Sequence, residues 1–328
     1  MTRRGWILFA GVCFLGGIPY LLIKIAVRDL SPVSVVFLRT GVGAVVLLPI
    51  AAARGDLRPL LRAWRWVLAF MVAEVTAPYL LLSVAEQRLP SSLTGLLVAA
   101  VPLATAIILL LMRTSDHLGL WRALGLVVGF VGVAVLLGLD NLRGDLISLA
   151  LIGVVVVGYA LGAIIVAYKL RDLPATGVIA ASLGLTAIVC APLGIATMPL
   201  HLPGLPVIGA VLGLGVFCTP LLFLLFFALI ADAGPLRAQI TGYVNPAVAL
   251  LLGVVVLGES LTFADILGFA LILGGLLVAT RGRRHRSPAP PTACNRILGL
   301  GVRPIEGHTP GQGSRVWPSS LRSRSLAR

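Results

Sequence analysis

Residues 146–168 read LISLALIGVVVVGYALGAIIVAY, a run without a charged side chain. An α-helix needs about 20 apolar residues to cross the hydrocarbon core of a bilayer, so this stretch predicts a transmembrane helix. Short polar connections separate it from nine similar stretches, at 6–27, 33–53, 65–85, 92–112, 119–138, 176–198, 205–231, 236–258 and 262–280. The sequence therefore predicts an all-α, polytopic membrane protein with ten transmembrane helices.

The composition supports a membrane protein. Hydrophobic residues make up 59% of the chain and charged residues 12%, with a mean hydropathy of +1.05. A soluble domain carries about twice that charged fraction. The formal net charge of +14 is concentrated in residues 281–328, which hold ten Arg and one Glu. We interpret this segment as a disordered basic tail that contacts anionic lipid headgroups, which argues against a nucleic-acid partner.

The distribution of Lys and Arg predicts the orientation in the membrane. With the N-terminus in the cytoplasm, the cytoplasmic loops hold eleven Lys and Arg residues and the external loops hold four. Positive residues favour the cytoplasmic side, and tryptophans favour the membrane interface. Trp6, Trp64, Trp66 and Trp121 all lie at predicted cytoplasmic helix starts. We expect both termini to be cytoplasmic in a multi-pass protein of the plasma (inner) membrane.

The chain also resembles itself at an offset of 143 residues. Arg28-Asp29-Leu30 aligns with Arg171-Asp172-Leu173, and Pro49 aligns with Pro192. Five helices per copy would place the second copy upside down, and inverted repeats have a binding site between the halves near the bilayer midplane. We expect one repeat at 1–140, a second at 144–280, and the tail at 281–328. The alternative is a duplication that serves assembly only.

Each half carries a set of short motifs, in helices 1 and 2 of the first half and in helices 9 and 10 of the second. They are Gly16-Gly17, Lys24, Pro32 and Arg39 in the first half, and Tyr243-x-x-Pro246, Gly258-Glu259, Gly268 and Gly274-Gly275 in the second. This pattern resembles the EamA-type families of the drug/metabolite transporter superfamily. The resemblance implies a ten-helix carrier, often an exporter of amino acids, metabolites or drugs. Residues 113–116 (Arg-Thr-Ser-Asp) depart from it, because the family usually has a Gly-Glu-type turn there.

Glu74 is the charged residue expected nearest the middle of a membrane helix. A charged side chain at mid-bilayer costs on the order of 2.5–3.5 kcal/mol on insertion scales, so such a residue normally faces a cavity or a partner. Pro78 cannot donate a backbone hydrogen bond to the carbonyl of Glu74, and it should kink this helix. Glu74 is therefore a candidate for proton coupling or for binding a substrate amine. A protonated or paired structural carboxyl is the alternative.

Other residues extend this candidate site. Arg39 can reach the outer surface, pair with Glu74, or bind an anionic substrate. The remaining candidates are prolines and asparagine that interrupt helices and tyrosines that could line a path for amphipathic cargo: Pro102, Asn245, Pro246, Tyr79, Tyr159 and Tyr243. For the tyrosines, simple packing is the alternative. We expect Glu259, at the end of helix 9, to act mainly in turn structure.

The function expected from these features is secondary transport of a small molecule. No Gly-x-x-x-x-Gly-Lys-Ser/Thr motif occurs, so the chain lacks the signature of direct ATP hydrolysis. The four cysteines form no CxxC pair, and we predict no metal, no cofactor and no catalytic residues. The partners expected are a small-molecule substrate and the lipid bilayer, with a homodimer as one possible assembly. A membrane-embedded enzyme and a non-transporting scaffold or sensor are the alternative functions.

Overall fold

The computed structural model describes residues 2–112, 120–138, 145–233 and 241–280. Within these ranges every regular element is helical, which confirms the all-α prediction. The basic tail, the departing turn at 113–116 and the side chain of Tyr243 lie outside the described part of the chain.

The helical segments are labelled α1 to α10 in chain order. They are α1 (Arg3–Ala26), α2 (Pro32–Ala53), α3 (Trp64–Phe70, Met71–Thr76 and Ala77–Ala85), α4 (Ser91–Val98 and Val101–Leu111), α5 (Leu120–Leu137), α6 (Leu146–Ile165 and Val166–Leu170), α7 (Ala175–Ala196), α8 (Leu205–Leu212, Gly213–Leu221 and Leu222–Ala233), α9 (Thr241–Leu257) and α10 (Phe263–Thr280). A 3₁₀ turn, Arg58–Ala63, precedes α3.

Seven of these helices are long and apolar enough to cross a membrane, namely α1 to α4 and α6 to α8. The segments α5, α9 and α10 contain shorter apolar helices. Large apolar side chains cover the outside of the bundle, such as Val45 (74% exposed) and Ile188 (69% exposed), whereas Arg39 and Glu86 are buried inside it. The chain is therefore a multi-pass membrane protein. Ten crossings and the inverted arrangement of two repeats stay predictions.

Two helices change geometry beside a proline. The middle segments of α3 (Met71–Thr76) and α8 (Gly213–Leu221) are π-helical. Pro78 and Pro220 have no amide to donate to the preceding turn, and a widened turn absorbs that missing hydrogen bond. Thr219 Oγ1 also donates to the carbonyl of Leu214, 3.2 Å away. Single π-helical turns inside α-helices are frequent at functional sites, so these two places lead to the candidate site.

Glycines allow helices of the two predicted repeats to approach closely. A Cβ atom at Gly132 in α5 would stand 2.7 Å from the carbonyl oxygen of Gly268 in α10. A Cβ at Gly17 in α1 would stand 2.7 Å from the carbonyl oxygen of Asn245 in α9. Because real Cβ atoms do not come that close to backbone atoms, only glycine fits these contacts. The helices α2 and α7 also pack together, so helices of both predicted repeats interleave in one compact unit.

Candidate substrate site between the helices

Arg39 is buried in the bundle and stacks on an aromatic ring. Its side chain leaves α2 with 5% of the residue exposed, and its Cζ atom lies 3.7 Å from the centroid of the Tyr79 ring. The Nε atom has no hydrogen-bond partner among the described residues. A guanidinium over an aromatic face is stabilised electrostatically, while its free donor can still bind an acceptor on a ligand. Arg39 therefore does not reach the surface of the bundle.

Glu74 lies in the π-helical turn of α3 and faces α6. Its carboxylate packs against Gly162, where a Cβ atom would clash with Oε2. A Cβ at Gly158 would stand 2.7 Å from the carbonyl oxygen of Ala73, so two glycines spaced by four residues bring α6 against this turn. Glu74 Oε2 is buried and accepts no hydrogen bond within the described chain. The absence of a side chain at Gly162 thus leaves space for the carboxyl that any larger residue would fill.

Arg39 and Glu74 do not pair directly. The ion pairs in the described ranges are Arg88–Asp145 and Arg171–Asp172, each at 3.4 Å and with an exposed arginine. The alternative of an Arg39–Glu74 pair is therefore not formed in this structure. A buried cation and a carboxyl with one buried oxygen, which do not neutralise each other, leave one positive and one negative or protonatable group for a ligand.

Three tyrosines lie near these two groups. Tyr159 on α6 is within electrostatic range of Tyr79, Tyr20, Glu74 and Arg39. Tyr20 on α1 was not among the predicted site residues, although Arg39 and Tyr79 are also its neighbours. Phenol side chains combine an apolar ring with one polar atom. The cluster therefore offers both aromatic surface and hydrogen-bonding groups between α1, α2, α3 and α6.

Asn245 and Pro246 lie on α9 where it crosses α1. Asn245 packs against Gly16 and Gly17, and its Oδ1 atom is buried without a hydrogen-bond partner in the described part of the molecule. Pro246 is buried within the continuous helix Thr241–Leu257. These two residues of α9 thus lie at an interface between the predicted repeats, against the helix α1 that also carries Tyr20.

Pro102 lies near the start of the second segment of α4. It follows a break in α4 at Ala99 and Ala100, and its side chain is exposed on the bundle. An apolar groove of about 340 Å³ opens nearby between α4, α5 and α6, lined by residues such as Leu97, Phe130 and Val156. Such a groove suits a lipid chain better than a polar substrate. Pro102 can bend α4 at this break, and its role in the substrate site stays a prediction.

Glu86 is a buried carboxyl that the sequence analysis did not select. It follows the last residue of α3, is fully buried, and has no hydrogen-bond partner for either carboxylate oxygen among the described residues. Lys24 of α1 donates to the backbone carbonyls of Glu86 and Leu89 at 2.6 and 2.8 Å. In the sequence, Glu86-Gln87-Arg88 resembles an exposed loop. The one feature that could have indicated a buried carboxyl is Lys24, which lies at the corresponding end of α1.

Glu259 connects the two predicted repeats at the same end of the bundle. Gly258 has a φ of +66° and turns the chain after α9, so that the Glu259 carboxylate reaches the N-terminus of α4. It accepts hydrogen bonds from Ser91 N (2.7 Å), Ser91 Oγ (2.9 Å) and Ser92 N (2.8 Å). Partial burial acts to raise the pKa of Glu259, but these hydrogen bonds outweigh it and hold the pKa below its usual value. The expected role in turn structure thus includes a helix cap.

Known proteins share this chain's sequence and fold. The sequence profile of the EamA-like transporter family matches residues 3–138 and 146–281. The chain belongs to the EamA-like transporter family. Its membership agrees with the resemblance deduced from Gly16-Gly17, Tyr243-x-x-Pro246 and Gly258-Glu259.

Relatives of this EamA-like transporter carry similar names. One is an "Uncharacterized inner membrane transporter YedA" of Escherichia coli K12, 28% identical over 285 residues that cover 84% of this chain and 90% of the relative. Another is an "Uncharacterized transporter" of Archaeoglobus fulgidus, 23% identical over 85% of this chain and all of the relative. A crystal structure with 20% identity and a TM-score of 0.60 covers 86% of this chain and 98% of that one, and shares its fold. The protein is therefore a membrane transporter.

Proposed function

We propose that this protein is a secondary transporter that exports a small metabolite, amino acid or drug-like molecule across the inner membrane. The main support is the buried Arg39 guanidinium stacked on Tyr79, with the unpaired carboxyl of Glu74 nearby on the same helix as Tyr79. Groups of this kind inside a membrane bundle normally mark substrate or ion pathways.

Each group has a distinct part in the proposed cycle. Arg39 binds an anionic or strongly polar group of the cargo, and Tyr79 and Tyr159 contact its apolar body. Glu74 exchanges the proton, or binds a substrate amine in its ionised form. The prolines of α3 and α8 and the Asn245-Pro246 step of α9 allow the helices around the site to bend. Tyr243 belongs to the same proposed site on the strength of the family motif.

Alternating access in this proposal depends on the inverted repeats 1–140 and 144–280. Two copies of opposite orientation supply two nearly equivalent states, one open to each side of the membrane. The family profile supports this division, because it matches the chain twice with a break at residues 139–145. The proposed orientation places both termini in the cytoplasm, and the tail against anionic lipids.

Transport measurements in inside-out membrane vesicles test the proposal. We expect accumulation of at least one labelled amino acid or cationic drug from a panel, and a response of its flux to an imposed proton gradient. Absence of any protein-dependent flux across such a panel would favour the scaffold or sensor alternative. Chemical conversion of a lipid or prenyl substrate without flux would favour the membrane-embedded enzyme.

Cysteine-labelling experiments test the proposed topology. Single cysteines at the exposed Arg54 and Arg88, in a chain whose four native cysteines are replaced by serine, should react from opposite sides. We expect Arg88→Cys to react with an impermeant maleimide in intact cells, and Arg54→Cys to react only after the membrane is opened. Labelling of both positions from one side would contradict a single crossing by α3 between Arg54 and Arg88.

A further inference from the structure

The outer end of α3 holds the most completely buried carboxyl in the described chain. Glu86 is 0% exposed, and neither of its oxygens has a hydrogen-bond partner among the described residues. An ionised carboxylate in such surroundings has lost its contact with bulk water and gained no hydrogen bond in return, which is unfavourable. The geometry therefore favours a bound proton on Glu86 in this conformation.

Charged and titratable groups from three other elements face this carboxyl. They are Tyr20 and Lys24 from α1, Arg39 from α2, and Glu259 from the turn between α9 and α10. Glu86 follows the last residue of its membrane span, Arg58–Ala85. Burial raises its pKa well above the usual range, Glu259 adds to this rise, and Lys24 and Arg39 oppose it. Two cations are thus in place to stabilise the carboxylate once the proton has left.

Lys24 is already in contact with the backbone of the same residue. Its ammonium donates to the carbonyl oxygens of Glu86 and Leu89, which lie just beyond the end of α3. These bonds join α1 to the connection between α3 and α4. A carboxylate is a stronger acceptor for an ammonium than a backbone carbonyl, so ionisation of Glu86 favours transfer of the Lys24 ammonium to the carboxylate.

We propose that Glu86 is a proton-binding site of this transporter, and that Lys24 is the cation that pairs with it after the proton leaves. The O–H bond of the carboxyl breaks, and the proton passes to water at the Lys24 end of the bundle. The ammonium of Lys24 exchanges its two carbonyl acceptors for the new carboxylate. The hydrogen bonds that join Lys24 of α1 to the α3–α4 connection therefore change whenever Glu86 gains or loses its proton.

The inference depends on the proposed transport function for its physiological meaning, but its test needs no cargo. An infrared titration of the full chain in nanodiscs follows the carbonyl stretch of protonated carboxyl groups from about pH 5 to about pH 10. We expect a protonated-carboxyl band at neutral pH that loses area in Glu86→Gln, whereas Glu74→Gln should leave the share that belongs to Glu86. A neutral-pH band of unchanged area in Glu86→Gln would overturn the proposal.

A second pair of variants tests the role of Lys24. Lys24→Gln removes the cation that stabilises the ionised form, so the Glu86 band should persist to a pH higher by about one unit or more. Arg88→Gln removes an exposed cation at the same end of the bundle, whose partner is Asp145, and should leave the midpoint unchanged. Equal midpoints in wild type and Lys24→Gln would refute the pairing, as would an equal shift in Arg88→Gln. A negative transport panel would contradict the proposed function without altering either titration.

Discussion

The Cζ atom of Arg39 lies 3.7 Å above the centre of the Tyr79 ring, and Tyr79 directly follows the proline beside which α3 is widened. The position of the guanidinium is thus linked to the π-helical turn that carries Glu74. A change in the geometry of this turn would move the ring under Arg39 as well as the carboxyl. The cation site and the proposed coupling site are therefore expected to respond together.

Replacement of Arg39 should weaken transport more than it weakens the fold. Arg39→Gln removes both the cation–π contact and the charge offered to the cargo, an interaction of about 1.5–3 kcal/mol, which corresponds to roughly a 10- to 100-fold rise in the apparent KM. Arg39→Lys keeps the charge and loses the planar stacking, so its KM should lie between the KM of wild type and that of Arg39→Gln. Vesicle flux measured against cargo concentration gives these values. An unchanged KM in both variants would remove Arg39 from the site.

Replacement of Glu74 should separate proton coupling from membrane insertion. Glu74→Gln has nearly the same shape and keeps the contact with Gly162, so the amount of inserted protein should match wild type. We expect its flux to lose the response to an imposed pH gradient. The matched control is Asp172→Asn, which removes an exposed carboxylate with 87% of its side chain accessible. Proton-coupled flux that survives in Glu74→Gln would reduce this residue to packing.

Two glycines of α6 should differ sharply in their tolerance of a methyl group. Gly158→Ala brings a Cβ to 2.7 Å from the Ala73 carbonyl and 3.3 Å from Pro78, and overpacking of this kind typically costs about 1–3 kcal/mol. A methyl group at Gly153 would meet no atom of the described chain within 4 Å, so Gly153→Ala should be neutral or stabilising by up to about 1 kcal/mol. Thermal unfolding in detergent measures both. Similar melting temperatures for the two variants would contradict the close α3–α6 contact.

The cap formed by Glu259 should make stability depend on pH. Its pKa is lower in the folded protein than the ordinary value of 4.5, so its contribution is fully present above about pH 4.5 and disappears as the pH falls through the folded value. Hydrogen bonds to a charged group contribute about 1.5–3 kcal/mol. Glu259→Gln should therefore lower the melting temperature at neutral pH, and the difference from wild type should shrink on acidification.

The control for this prediction is Asp265→Asn. Asp265 accepts hydrogen bonds from Thr262 N and Oγ1 at the exposed start of α10, and it makes no hydrogen bond to α4 in the described structure. Its replacement should leave the hydrogen bonds from Ser91 and Ser92 to Glu259 intact. The pH-dependent difference expected for Glu259→Gln should therefore be absent from Asp265→Asn. A melting-temperature difference between Glu259→Gln and wild type that stays constant from neutral to acidic pH would show that the carboxylate charge is not involved.

The sequence was sufficient to predict where the helical segments lie and which residue interrupts α3. Apolar runs predicted the positions of the helical segments, because a membrane leaves few alternatives for a backbone that must satisfy its own hydrogen bonds. Pro78 predicted an irregular turn in α3 because its missing amide is a local property, and Pro220 has the same effect in α8. The family motifs predicted family membership, which the profile match confirms.

The long-range contacts could not be predicted in the same way. Glu86 lies in a polar tripeptide that is typical of a loop, and its burial depends on tertiary packing that also brings Lys24 of α1 to its carbonyl. Glu259 was expected in turn structure, yet its partners Ser91 and Ser92 are 168 and 167 residues away in the chain. Arg39 had three candidate environments, and the choice among them depended on where the Tyr79 ring lies. Each outcome depends on tertiary packing that the sequence pattern does not encode locally.

The glycine contacts between α5 and α10 limit how this protein can change shape. Gly132 and Gly268 bring one backbone directly against the other, with no side chain between them that could repack during sliding. If residues 1–140 and residues 144–280 moved against each other as rigid halves, the contact between α5 and α10 would have to break in every transport cycle. We expect the α5–α10 contact to stay fixed instead, with the motion confined to bending of α3 and α8 at their widened turns and of α9 at Pro246.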